Sequence, residues 1–244
     1  MLLRLDGVSK SFGGVHAVRD LDMEVAEGEI VGLIGPNGSG KTTLFNVVTG
    51  FHRPDGGRIF LDGREITGAD PAQVCRRGIA RTFQHVRPFL HLTVTQNVAV
   101  ARAYGREPAA SMLRAQEEAQ EFIRLLGLQE RRNILARSLT LVDRKRLELA
   151  RALAARPLVL LLDEYLAGLN PSEVLSELDL IRRIRNMGIT VVMVEHLVQA
   201  VFSIADRVVV MNVGQKIADG TPASVAADPH VIEAYLGVGH HAQD

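Results

Sequence analysis

The sequence predicts an α/β fold: a parallel core sheet, an N-terminal antiparallel β-subdomain and an inserted α-helical subdomain. Three observations carry this. The stretch Gly35-Pro36-Asn37-Gly38-Ser39-Gly40-Lys41-Thr42-Thr43 fits G-x-x-x-x-G-K-[ST] between an apolar run and a helical pattern. The segment from Leu158 to Glu195 alternates strand, helix, strand, which builds a parallel sheet with right-handed crossovers. Between about Arg87 and Arg156 the strand signal vanishes and helical periodicity replaces it.

The N-terminal elements follow from period-two alternation. Leu3 and Leu5, then Leu21, Met23 and Val25, alternate with polar neighbours around a turn at Ser11 to Gly14, so these strands pair as an antiparallel sheet. Gly28 ends the hairpin. Ile30 to Ile34 reads as a buried strand and Thr42 to Thr49 as a helix stopped by Gly50. Asp55-Gly56-Gly57 turns into a strand from Arg58 to Leu61, and Asp62-Gly63 turns again. Pro71 suits the first position of a helix that reaches Arg77 and ends at Gly78, and Ile79 to Phe83 reads as a strand.

In the helical stretch, Thr93 is a candidate N-cap for a helix carrying Val94, Val98 and Val100. Phe122, Ile123, Leu125 and Leu126 form the apolar face of a second helix, and Arg144 to Ala155 forms a third that stops before Arg156-Pro157. Strand Leu158 to Asp163, helix Ser172 to Met187 and strand Ile189 to Glu195 follow. Strands Arg207 to Asn212 and Gln215 to Ala218, then a short helix around Val231 to Leu236, end the chain. The expected organisation is one domain, 1–244, with 1–86 and 157–244 as nucleotide-binding core and 87–156 as the helical insertion.

Composition narrows the class. The chain has 244 residues, 47% of them hydrophobic, which is enough for a full core. Lys plus Arg and Asp plus Glu are both 28, so no basic field points to nucleic acid. A single cysteine, Cys75, excludes an internal disulfide framework and reads as a small half-buried residue. No apolar stretch approaches the ~20 residues that span a bilayer, and Asp6 follows Met1 too closely for a secretory signal. The chain reads as soluble, with any membrane association made through a partner. His240 and His241 read as solvated tail residues, since no other metal ligand lies at a useful spacing.

The glycine-rich stretch explains itself physically. Gly38 and Gly40 let the backbone curl into a concave nest, and the helix behind it presents N–H groups with no partner inside the helix. A polyphosphate supplies the acceptors and sits where the helix dipole is positive. Lys41 would reach the outer phosphates and the Thr42 hydroxyl would hold Mg²⁺. Ligands of parallel sheets gather at the carboxyl ends of strands, where Asp163-Glu164 ends an apolar run. There an Asp can hold Mg²⁺ through water and the Glu can take a proton from, or orient, an attacking water. Gln84 and His196 also follow short apolar runs and could reach the same edge or stay ordinary surface residues.

In their order, Phe12, Gly35 to Thr43, Gln84, Asp163-Glu164 and His196 resemble the ATPase subunit of ATP-binding cassette (ABC) transporters over nearly the whole chain, a P-loop NTPase cassette. The stretches Gly78 to Gln84, Ala167-Gly168-Leu169-Asn170-Pro171, Glu195-His196 and Ile232 to Gly237 are similar to the G-type ATPase of branched-chain amino acid uptake systems. The resemblance implies that ATP and Mg²⁺ bind, with Phe12 stacking on adenine and Gly35, Pro36, Asn37, Gly38, Ser39, Gly40, Lys41, Thr42 and Thr43 around the phosphates. It implies Glu164 as catalytic carboxylate and His196 on the terminal phosphate. Gln84 would couple the site to the membrane subunits and share Mg²⁺ with Thr42 and Asp163. Implied partners are two transmembrane permease subunits, a second ATPase subunit closing head to tail with Ala167 to Asn170 at the junction, and indirectly a periplasmic solute-binding protein. The chain would then sit on the cytoplasmic side of the inner membrane.

One segment departs from the family. Where the pattern is close to Leu-Ser-Gly-Gly-Gln, this chain has Leu139-Thr140-Leu141-Val142-Asp143. Thr140 keeps a hydroxyl that would face the partner's nucleotide, but both glycines are gone. A left-handed backbone at Val142 would cost ~1–2 kcal/mol. A lost charge-assisted hydrogen bond would cost ~1.5–3 kcal/mol more. Asp143 adds an unfavourable charge that Arg144 or Lys145 would offset. The expectation is closure weakened about a hundredfold or more in an asymmetric heterodimer. The other readings are a soluble cassette ATPase acting as a nucleotide switch, and an ATP-binding subunit with weak turnover.

Overall fold

The computed structural model describes residues 1–84 and 86–236. Two sheets lie face to face. Strands β1 (Leu3–Phe12), β2 (Val15–Val25), β4 (Gly56–Leu61) and β5 (Arg64–Glu65) form an antiparallel sheet in the order β2-β1-β4-β5. The larger sheet runs β10-β9-β3-β8-β7-β6, built from β3 (Ile30–Ile34), β6 (Ile79–Arg81), β7 (Val159–Asp163), β8 (Thr190–Val194), β9 (Arg207–Asn212) and β10 (Gln215–Gly220). Its pairings are parallel except β9 with β10.

Every residue of β3, β7 and β8 is buried, as expected for parallel strands covered on both faces. Period two then divides them. Val31, Leu33, Leu161, Val192 and Val209 face the antiparallel sheet and α1 (Lys41–Val48), where Leu3, Leu5, Leu44 and Phe45 complete one core. Ile30, Ile34, Leu160, Leu162, Val191 and Val208 face a second core shared with the helices.

Between β6 and β7 the regular elements are helical: α3 (Val94–Tyr104), α4 (Met112–Leu125) and α5 (Leu141–Ala154), with two short 3₁₀ turns, after α2 (Pro71–Arg77) has led into β6. Capping sets their starts. Thr93 and Gln96 form a capping box at α3, and Asp70 and Gln73 form one at α2, where Pro71 occupies the first turn. Beyond β7 come α6 (Pro171–Asn186), α7 (Val198–Ile204), α8 (Pro222–Ala226) and α9 (Pro229–Leu236). Two of these, α7 and α8, are absent from the sequence reading, being only seven and five residues long and too short to show a helical period. The strand expected to reach Phe83 stops at Arg81. His240, His241 and Gly237 lie outside the described residues.

The third helix differs more consequentially. It starts at Leu141, not Arg144, because the Thr140 hydroxyl accepts from the Asp143 N–H at 3.2 Å and caps it.

Candidate functional site

The order β3-β8-β7-β6 sets four carboxyl-terminal strand ends side by side, and each carries part of the site. The loop after β3 is the glycine-rich stretch. Gly35, Gly38 and Gly40 all take positive φ there. Two of them also need the missing side chain: a Cβ on Gly35 would stand 2.0 Å from the Met211 carbonyl oxygen, and one on Gly40 2.1 Å from that of Ala17. The loop is thus wedged between β9 and the hairpin strand β2. Gly40 caps α1 without any side-chain acceptor, leaving the first-turn N–H groups directed at whatever anion the loop receives.

Lys41 is buried against this loop. Its ammonium donates to the carbonyls of Gly35 at 2.8 Å and Pro36 at 2.9 Å and to the Ser39 hydroxyl at 3.3 Å. Burial pushes its pKa down, and the carboxylates of Glu164 and Asp163 pull it back up, so both acids lie within electrostatic reach of the lysine. The Thr42 side chain is exposed at the start of α1.

At the end of β7, Asp163 is buried and ion-paired with Arg81 at 2.6 Å, the two side chains being 4% and 5% exposed. Arg81 also donates to Asn46 of α1 at 2.7 Å, and its guanidinium lies over Phe45 and Phe83. Glu164 has φ +47°, a left-handed turn that swings its side chain off the strand line. There it receives the Gln84 amide at 2.6 Å on one carboxylate oxygen and meets His196 Nε2 at 2.8 Å on the other. Two residues that lie 80 and 32 positions from Glu164 in sequence therefore converge on its carboxylate.

Phe12 is half exposed at the tip of β1, edge-on to His52 at 5.1 Å. Thr140 lies elsewhere, at the head of α5. Its hydroxyl is bonded to the Asp143 carboxylate at 2.9 Å. Two expectations for this segment fail. Val142 is helical and carries no left-handed strain, because the Thr140 cap brings it into the first turn of α5. The Asp143 charge is balanced by Arg131 at 2.7 Å, not by Arg144 or Lys145, which reach the carbonyls of Arg137 and Tyr165.

Sequence reasoning missed the buried charges behind the site: Arg81, Lys145, Glu148 and Glu195. Glu195 accepts from the Leu166 N–H at 2.8 Å, and burial raises its carboxyl to about 7. Lys145, Glu177 and Tyr165 form a further buried set, with the Tyr165 hydroxyl donating to Glu177 at 2.6 Å. The signal was present in α5, where Lys145 and Glu148 share a flank with buried Leu149 and Ala152.

A glycine cradle, a buried lysine and an acidic strand end on one sheet edge define a nucleoside-triphosphate-binding protein of the phosphate-loop class. Comparison with known families then specifies it. The ABC transporter family model matches residues 18–167, and a model described as branched-chain amino acid ATP-binding cassette transporter matches residues 215–241. The chain belongs to the ABC transporter ATPase family. It is 42% identical to the high-affinity branched-chain amino acid transport ATP-binding protein LivG of Salmonella typhimurium, covering 97% of this chain and 98% of that protein. It is 41% identical to BraF, the protein of the same description in Pseudomonas aeruginosa, over the same shares. The crystal structure of an ABC transporter cassette in its ADP conformation superposes with a TM-score of 0.87 at 32% identity, covering 97% of this chain and 98% of the other.

Proposed function

We propose that this chain is the ATP-hydrolysing subunit of an importer for branched-chain amino acids or related small polar solutes. The observation that carries the reading is the convergence of Gln84 and His196 on Glu164 beside the Lys41 loop. In this reading Gly35 to Thr43 hold the phosphates of ATP and Phe12 stacks on the base. Glu164 is the general base or water-orienting group, held by Gln84, and His196 is placed to contact the terminal phosphate.

Mg²⁺ fits the donor set. Among the described residues no cluster of three or more His, Cys, Asp or Glu side chains makes an all-protein cage, whereas Thr42, Gln84 and Asp163 offer oxygens beside the phosphate loop. That suits a cation bound through few protein oxygens together with phosphates. Bound there, it would neutralise charge on the phosphates. Arg81 meanwhile holds the Asp163 carboxylate.

Residues 87–156 act in this reading as a helical insertion that touches the membrane partners. Between it and the core runs a groove of about 320 Å³ lined by Phe51, Val74, Phe83, Val100, Tyr104 and Arg151 among others. One of two permease subunits docks along it, a second ATPase subunit closes the dimer, and a periplasmic binding protein delivers solute. The chain thus lies peripherally on the cytoplasmic face of the inner membrane; among the described residues no helix is long and apolar enough to cross one. The second reading, an asymmetric heterodimer with one weak site, is favoured by the bond between the Thr140 hydroxyl and Asp143, which occupies the group that would meet the partner's phosphate. The test is reconstitution with the permease subunits and binding protein in proteoliposomes, using leucine as probe. ATP-driven accumulation of leucine is expected; turnover that no solute of this class or membrane subunit stimulates would overturn the transport reading.

A further inference from the structure

We propose that Glu148 and Arg151, one turn apart on α5, are positioning residues that grip the backbone on both sides of Gln84 and thereby set where it meets Glu164. The inference rests on the reading of Gln84 and Glu164 as parts of the ATP site.

The backbone changes its support at Phe83. Thr82 still donates its N–H to Leu161 in the sheet, at 2.9 Å. The next N–H, that of Phe83, goes to the Glu148 carboxylate of α5 at 3.1 Å. Gln84 is the first residue beyond this handover, and its amide is on Glu164. Beyond Gln84, Arg151 donates to the Arg87 carbonyl at 2.8 Å, and its guanidinium lies 4.9 Å over the Phe89 ring. The Arg87 N–H also acts on the Glu148 carboxylate, lowering its pKa. One helix therefore holds both ends of the segment that carries Gln84. Through these two contacts a displacement of α5, which Thr140 caps, carries Gln84 with it.

The grip depends on charge. An ionised Glu148 accepts from the Phe83 N–H and attracts that of Arg87; a protonated one keeps a single good acceptor and gains a donor that neither N–H can use. Burial raises this carboxyl to about 7, against the N–H groups of Phe83 and Arg87 and the charges of Arg151 and Lys145, which lower it. Arg81, Arg87, Cys75 and Tyr104 line the same groove, and Tyr165, two residues past β7, lies within electrostatic reach of Glu148. The grip is thus complete above neutrality and loosens below it.

The test is an amide-detected NMR titration of the whole chain without nucleotide, paired with the pH profile of ATP turnover. The Phe83 and Arg87 amide resonances of the native chain are expected to move with a midpoint of about 7 and to stay flat in Glu148→Gln. Turnover of Glu148→Gln is expected to fall about tenfold at alkaline pH and to approach native turnover in mild acid. Arg151→Lys, which keeps the charge but not the fork, is expected to shift the Gln84 side-chain amide resonance. A Phe83 amide that does not titrate, or native turnover by Glu148→Gln across the range, would overturn the proposal. Should Glu148→Gln not fold, the titration of the native chain still decides. Failure of the ATP-site reading would show separately, as undiminished turnover in Glu164→Gln, because the titration needs no ATP.

Discussion

Single residues of this chain tolerate little substitution where backbone approaches backbone. Gly40 combines φ +102° with a neighbouring carbonyl, that of Ala17, 2.1 Å from where a Cβ would lie. Gly40→Ala therefore forces β2 away from the loop and should weaken ATP binding more than about tenfold, measured by calorimetry. Gly38 differs: its φ is +77° but nothing lies within 4 Å of its Cβ position, so Gly38→Ala should cost only the ~1–2 kcal/mol of a left-handed residue. Glu164 accepts the same conformational cost without being glycine. Its strain is maintained by its N–H on Val194 at 2.9 Å and by Gln84 and His196 on its carboxylate.

At the scale of elements, α5 is the helix whose sequence and structure disagree most usefully. With no glycine in Leu141-Val142-Asp143, the chain extends the helix through these positions and caps it with Thr140. Thr140→Ala should lower stability by about 1 kcal/mol, read as a fall in thermal midpoint. Replacing Leu141 and Val142 by glycine would loosen the first turn by about 0.5–1 kcal/mol each and would not relieve strain, since none is stored there. A gain in turnover from that double variant would then come from the contact with the partner. Exposed Leu141 reaches Gly168 of the loop expected at the dimer junction, its Cδ2 lying 3.5 Å from a Cβ built there. Within the first turn, Asp143 suits the positive end of the helix dipole and is paired with Arg131.

Across the whole molecule, the sheet order explains both what the sequence disclosed and what it withheld. The phosphate loop is a local object, so its motif and its flanking strand and helix were legible together, as was Asp163-Glu164 at the end of an apolar strand. Local signals such as the Thr93 cap and Pro71 at a first helical position fixed helix starts for the same reason. Arg81 and Glu148 were not legible, because their partners, Asp163 and Phe83, lie 82 and 65 residues away. The start of α5 was misjudged because Thr140 was not read as an N-cap. Burial of these distant charges also has a global consequence. Glu148 and Glu195 both have carboxyls raised from 4.5 to about 7, so between those values the folded chain holds more protons than the unfolded one. Stability should fall as pH rises through that window, and Glu195→Gln should flatten the slope, as read from thermal midpoints across it. The central claim, however, is hydrolysis at the Glu164 carboxylate. Its most direct test is ATP turnover with Mg²⁺ by the purified chain and by Glu164→Gln, with ATP binding measured alongside. The variant is expected to bind ATP as the native chain does and to lose turnover by about a hundredfold or more. Equal turnover in the two proteins would contradict it.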